Sequence, residues 1–171
     1  MTEKTENEVL EEKIAQSKED VSVSEEKYLT FPLNKEEFGI DIQCITEIVG
    51  ILSITEVPDM ESYVKGVINL RGKIIPVIDV RRRFNIEEIE YNDRTCIIVV
   101  NLDDLVVGLI VDTVSEVVNI PINQIESSSV ISSDSGASYI KGMGKIGDRV
   151  VILLDIEQLL EREKLAHIGN A

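Results

Sequence analysis

GVINLRGKIIPVIDVRRRF, residues 66–84, is the stretch on which the fold turns. Two apolar runs, Gly66–Leu70 and Ile74–Val80, flank the short polar break Arg71-Gly72-Lys73. A break of this length between apolar runs reads as a β-hairpin. Gly72 supplies the tolerance for positive φ that such a turn demands. Nothing in the turn calls for an arginine, so Arg71 needs a reason of its own. The plain reading is a solvated turn residue; the alternative is a contact kept for another molecule.

The hairpin recurs. YVKGVINLRGKIIPVIDV, residues 63–80, aligns without gaps on YIKGMGKIGDRVVILLDI, residues 139–156, at an offset of 76. Tyr63, Lys65, Gly66 and Asp79 match Tyr139, Lys141, Gly142 and Asp155. Upstream, FGIDIQCITEIVGI (38–51) resembles VGLIVDTVSEVVNI (107–120) at an offset of 69, matching Gly39, Glu47 and Val49 with Gly108, Glu116 and Val118. The two offsets place a seven-residue insertion near the Ser-rich IESSSVISSDSGAS, as befits a loop. The repeats lie near 38–84 and 107–160, and each is too short for a comfortable core of its own. Two small β-barrels sharing an apolar seam are therefore expected. Arg71-Gly72-Lys73 falls opposite Gly147-Asp148-Arg149, so the second hairpin closes without an arginine at the position of Arg71, which argues that the fold does not require it there.

Period-two alternation marks strands elsewhere, with a turn at Asn34–Glu37 and another at Asp103-Asp104. The parity slips at Cys44–Ile45, which predicts a bulge or a sharp coil in a long strand. Pro76 points to an edge or irregular position, because proline cannot donate to a ladder. Helical signal is confined mainly to the C-terminus, where Asp155 and Gln158 form a capping-box-like pair, Ile156, Leu159 and Leu160 share a face, and Gly169 marks the exit. Residues 1–26 carry nine acids and three lysines, few of their side chains are apolar, and they read as a mostly disordered acidic tail with a weak helical turn or two around Val9, Leu10 and Ile14. The globular part is expected from residue 27 to about 168.

Charge and composition narrow the function. The 171 residues hold 17 basic and 32 acidic side chains, a net charge of −15. Such a chain is repelled by nucleic-acid phosphates and by anionic lipid. The opening shows no secretory signal, and the longest uncharged apolar run, Leu105–Val111, is far shorter than the roughly 20 residues of a spanning helix. Cys44 and Cys96 sit in apolar segments without a CxxC or a histidine nearby, and read as buried thiols in a reducing cytosol. Aromatic residues at 4% leave little to line a small-ligand pocket.

Catalytic groups do not converge. The only histidine, His167, suits a helix C-terminus, where a cation meets the helix dipole. Gly142-Met143-Gly144 is a lone GxG, and no metal-ligand spacing or cofactor fingerprint occurs. Asp103-Asp104 reads as turn chemistry, and Asp79 and Asp155 as caps of the helical turns that follow them. A carboxylate-dependent hydrolase would need clustered acids in a cleft, whereas these acids stand at turns and strand ends. Arg81-Arg82-Arg83 reads as a solvated basic face or a docking point for an acidic partner.

YLTFPLNKEEFGIDIQCITEI, YVKGVINLRGKIIPVIDVRRRF and YIKGMGKIGDRVVILLDIEQLL together resemble the CheW family of bacterial chemotaxis coupling proteins, in order from about Tyr28 to Leu160. The resemblance implies a mainly β fold of two SH3-like five-stranded β-barrel subdomains with a C-terminal helix. It implies a non-enzymatic adaptor without cofactors, bridging chemoreceptor cytoplasmic tips to the regulatory domain of a chemotaxis histidine kinase, cytoplasmic and associated with receptor arrays. The same module in a non-chemotactic two-component array is the nearest alternative. Carried over by matching position, the receptor-facing groove comprises Ile45 and Glu47 on the long strand and Gly66, Arg71 and Gly72 at the hairpin, with Asn69 fixing the turn. Pro32 departs from the family pattern and is expected to shorten the first strand.

Overall fold

The computed structural model describes residues 3–19, 24–127, 139–161 and 165. The chain is mainly β. Eleven described strands form two sheets, with helix α1 (Glu6–Glu19) before them and the short helices α2 (Val80–Arg83) and α3 (Ile156–Leu160) after the two recurring hairpins. His167 and Gly169 lie outside the described residues. Two compact units result: unit 1 takes residues 1–44 and 114–159, unit 2 residues 45–113 and 160–171.

Unit 1 holds a six-stranded sheet in the order β8 (Val117–Pro121), β1 (Glu25–Leu33), β2 (Glu36–Asp41), β11 (Arg149–Leu154), β10 (Ile140–Ile146), β9 (Ile125–Ser127). Unit 2 holds a five-stranded sheet in the order β3 (Ile45–Gly50), β6 (Cys96–Leu102), β7 (Leu105–Val111), β5 (Lys73–Asp79), β4 (Val64–Leu70). Shifted by the repeat offsets, the two orders coincide. The parallel ladder Val77–Asp79 with Gly108–Ile110 has its twin in Val151–Leu153 with Glu37–Gly39. The extra strand β9 also has a counterpart, since Glu126 pairs with Met143 where Thr55 makes an isolated bridge to Val67. The repeat thus marks the symmetry correctly, but neither sheet is one repeat. Each joins the first hairpin of one repeat to the second hairpin of the other.

The crossings lie where the sequence loses its alternation. A 3₁₀ turn, Ile42–Cys44, separates β2 from β3, and the units divide at Cys44–Ile45 and again at Thr113–Val114, 69 residues later. A bulge follows between Ile45 and Glu47.

Each unit curls around its own core. In unit 1, Tyr28, Val118, Ile120, Val151 and Leu153 cluster, and a Cβ on Gly144 of β10 would stand 2.6 Å from Ile120 of the far strand β8. That approach draws the two ends of the sheet together. In unit 2, Ile68, Ile75, Val77, Ile97, Val99 and Ile110 pack, with Tyr91 and Ile54 against them. Glycine is demanded at equivalent bulges: a Cβ on Gly66 would lie 2.2 Å from the Thr55 carbonyl oxygen, and one on Gly142 2.5 Å from that of Glu126.

Three expectations need amendment. Pro32 does not shorten β1, which runs nine residues through it to Leu33. Pro76 lies in an inner strand rather than at an edge, although the ladder to β7 begins only at Val77, so the missing N–H falls just outside it. The N-terminal arm contains a fourteen-residue helix rather than a turn or two. Glu6 and Glu8 in its first turn and Lys18 in its last suit the helix dipole, and burial of Ile14 anchors it.

Asp79 caps α2 by accepting from the backbone N–H of Arg81 (2.9 Å) and of Arg82 (3.4 Å). Its other oxygen accepts the Tyr91 hydroxyl at 2.6 Å, and burial together with that bond pushes the phenol well up. Asp155 accepts one backbone N–H, from Gln158 at 3.3 Å. Asp79→Ala therefore loses a cap and strands a half-buried hydroxyl, costing about 2–3 kcal/mol, whereas Asp155→Ala costs about 1 kcal/mol. Denaturant unfolding of both variants checks the ratio. Gly66→Ala meets a backbone oxygen at a φ of 152°, and its unfolding free energy should fall by more than about 2 kcal/mol.

Candidate functional site: the Arg71 hairpin

The β4–β5 hairpin closes at Leu70 and Lys73, leaving Arg71 and Gly72 as its two central residues. Both have positive φ, 50° and 85°, the signature of a type I′ turn. Asn69 accepts the Gly72 N–H on Oδ1 at 2.8 Å, so it fixes the turn as expected. Gly72 is at ease there; Arg71 is not, because a side chain in the left-handed region costs about 1–2 kcal/mol. The turn tolerates this arginine rather than prefers it.

Arg71 reaches from the tip back to β3, where its Nη2 donates to Glu47 Oε2. Glu47 stands on edge strand β3 and Arg71 at the turn that leaves the opposite edge strand, β4, so the pair closes unit 2 on itself. The arginine side chain nevertheless remains 69% exposed and Glu47 18% exposed. An ion pair this open to water is worth about 1 kcal/mol at most. The guanidinium is steered, not sequestered.

The rest of the expected groove divides differently. Ile45, at 1% exposure, is a core residue of β3, and Gly66 is buried against the Thr55 carbonyl. Glu47, Arg71 and Gly72 are brought to one surface; Ile45 and Gly66 shape the strand and hairpin beneath.

The second repeat contains a feature that alignment by position misses. Glu116, the counterpart of Glu47, receives Arg149 Nη1 at 3.1 Å, and the same guanidinium bonds Glu37. Arg149 aligns with Lys73, not with Arg71. Unit 1 thus makes the equivalent arginine-to-glutamate closure from two positions later in the hairpin. Arg71 is therefore not idle in the fold: both units use an arginine clip, and only the one in unit 2 comes from the strained tip.

The three arginines 81–83 are not an unengaged basic face. Arg81 grips Asp112 through Nε (2.9 and 3.2 Å) and Nη2 (2.7 Å), and that bond raises its pKa. Arg82 meets Glu88 at 2.8 Å, which lowers the glutamate pKa, with Lys65 at 3.2 Å as a second cation. Arg83 stacks over Tyr63 and lies 3.4 Å from Glu161. They bind the 85–95 segment and helix α2 to the sheet of unit 2, so a docking role for them is not supported. Cys44 and Cys96 are free thiols, Cys96 buried and Cys44 partly so. Among the described residues no group of three or more His, Cys, Asp or Glu is placed to hold a metal ion, and no helix is long and apolar enough to cross a membrane.

Comparison with known proteins agrees with this architecture. A family model described as the CheW-like domain matches residues 27–164. The chemotaxis protein CheW of Klebsiella aerogenes is 39% identical over 145 residues, covering 85% of this chain and 87% of the relative. That of Thermotoga maritima is 34% identical over 140 residues, covering 82% and 91%. The crystal structure of the scaffolding protein TtCheW from Thermoanaerobacter tengcongensis superposes with a TM-score of 0.72 at 37% identity, covering 80% of this chain and 92% of that one. These relatives are named as chemotaxis and scaffolding proteins rather than enzymes. With the family model spanning both hairpins and both sheets, the chain belongs to the CheW-like family.

Proposed function

We propose that this chain is an adaptor that couples the cytoplasmic tips of chemoreceptors to the regulatory domain of a chemotaxis histidine kinase, and so controls kinase activity within signalling arrays on the cytoplasmic face of the membrane. The observation that carries the reading is the Arg71 tip, within a family match that covers 27–164. An arginine occupies a left-handed turn position that favours glycine, is aimed by Glu47, and stays largely in water. Backbone strain kept at an exposed charged residue points to recognition rather than to folding. Its planar fork suits carboxylate and carbonyl acceptors on a helical hairpin.

In this reading Arg71 and Glu47 make the receptor contact, Gly72 lets the partner approach the turn, and Ile45 and Gly66 hold the surface in shape. The kinase contacts a different surface, so that both partners are held at once. Individually weak contacts then gain strength from effective concentration in an array.

A titration against a receptor cytoplasmic fragment and the kinase regulatory domain tests the bridge. Each should bind, and both together should form a ternary complex; mutual exclusion would overturn the coupling role. Arg71→Gly separates recognition from stability. It relieves the left-handed strain while losing a pair worth at most about 1 kcal/mol, so the melting temperature should stay level or rise. Receptor affinity should nonetheless fall by about tenfold, a loss of about 1.4 kcal/mol. Unchanged affinity would assign Arg71 to the fold alone.

A further inference from the structure

Helix α1 precedes the family-matched residues 27–164 and belongs to unit 1. It lies against the 3₁₀ turn Ile42–Cys44 and against β8. Its apolar attachment is narrow. Ile14 is its buried residue, at 4% exposure, Leu10 is half-buried, and Val9 stays 51% exposed. A helix of about this length is marginal alone in water and depends on packing for its stability. Two polar clamps assist: Thr5 Oγ1 accepts the Glu8 N–H at 3.1 Å, and Lys27 Nζ on β1 donates to the Ser17 carbonyl at 3.3 Å. The second sets a cation on a last-turn carbonyl, where the helix dipole favours it.

The seat is under-filled. An open cleft of about 360 Å³ runs beside α1, lined by Lys13, Gln16, Ser17, Lys27, Val117 and Asn119. At the turn against which the helix leans, Cys44 is partly exposed and its Sγ donates to the Asp41 carbonyl at 3.1 Å. Burial pushes this thiol up to about 12, and Lys18 of α1 is among the charges that act on it.

We propose that α1 is a displaceable latch, the resident occupant of a helix-accepting groove on unit 1, which shields the turn Ile42–Cys44 when docked and bares it when released. One buried side chain, Ile14, a half-buried Leu10, an exposed Val9 and an open polar cleft beside the helix are what a reversible contact requires. The β-strands beneath, whose cores hold several fully buried side chains, do not open with it. Regions attached by few buried contacts open locally, well before the whole fold does.

Cys44 reports the opening, and Cys96, buried in β6, serves as the internal control. The test is the rate of thiol alkylation at both cysteines in the full chain. Ile14→Asp should raise the Cys44 rate by about tenfold or more and leave Cys96 unchanged; Ile14→Ala should give a smaller rise in the same direction. Hydrogen exchange adds a second readout: the α1 amides should exchange about a hundredfold faster than those of β1 in the unaltered chain. Identical Cys44 labelling in all three proteins would overturn the latch. So would a parallel rise at Cys96, which would make α1 part of the cooperative fold, or α1 amides protected as strongly as β1.

Discussion

The fold depends on two short parallel ladders. Val77–Asp79 against Gly108–Ile110, and Val151–Leu153 against Glu37–Gly39, join hairpins that come from different repeats. Without them the six-stranded sheet would part into two three-stranded pieces, and the five-stranded one into a three-stranded piece and the two-stranded β4–β5 hairpin, which is marginal alone in water. The glycines at these ladders follow from the geometry. A Cβ on Gly108 would meet Val77 Cγ1 at 2.9 Å and Ile97 Cγ2 at 2.6 Å, and one on Gly39 would meet Val151 Cγ1 at 3.0 Å. Gly39 and Gly108 recur at the same place in both repeats because both partner strands carry branched side chains that need the room.

Much of this was legible in the residues. The two offsets located the repeat, and the lost alternation at Cys44–Ile45 located a crossing between sheets. Asn69, Asp79 and Asp155 act where turn and cap chemistry put them. What stayed hidden is pairing. A repeat announces that two segments are alike, not which strands will bond, so nothing in the sequence told that β5, besides its hairpin partner β4, takes β7 of the other repeat rather than β2 of its own. Charge has the same opacity: Arg81 and Asp112 lie 31 residues apart and look like separate surface charges until the sheet brings them to 2.7 Å. A weak helical turn or two around Val9, Leu10 and Ile14 was legible, but not the full length of α1, because its apolar content is low; burial of Ile14, half-burial of Leu10 and favourable end charges extend it to fourteen residues.

The Arg71 tip shows the limit of position-by-position reasoning. Aligned residues differ, yet both units join an arginine from the hairpin to the matched glutamate, Glu47 or Glu116. The function of the clip is shared while its location has shifted by two residues. What sets unit 2 apart is only that its arginine stands at the strained, outward end of the turn. A chain with a net charge of −15 spends most of its described cations on such internal pairings, which leaves geometry, rather than bulk charge, to mark the site.

The interleaved connectivity also imposes an order of assembly. Unit 2 draws all five strands from residues 45–102 and 105–111, a continuous stretch nested inside the discontinuous unit 1. As the chain leaves the ribosome, that inner sheet has every strand it needs once Val111 has emerged. Strands β1 and β2 are made earlier but must wait for β11, ending at Leu154, before their sheet can be completed. The oldest part of the chain is therefore the last to find its neighbours, and during that interval its apolar edge is open to the wrong ones.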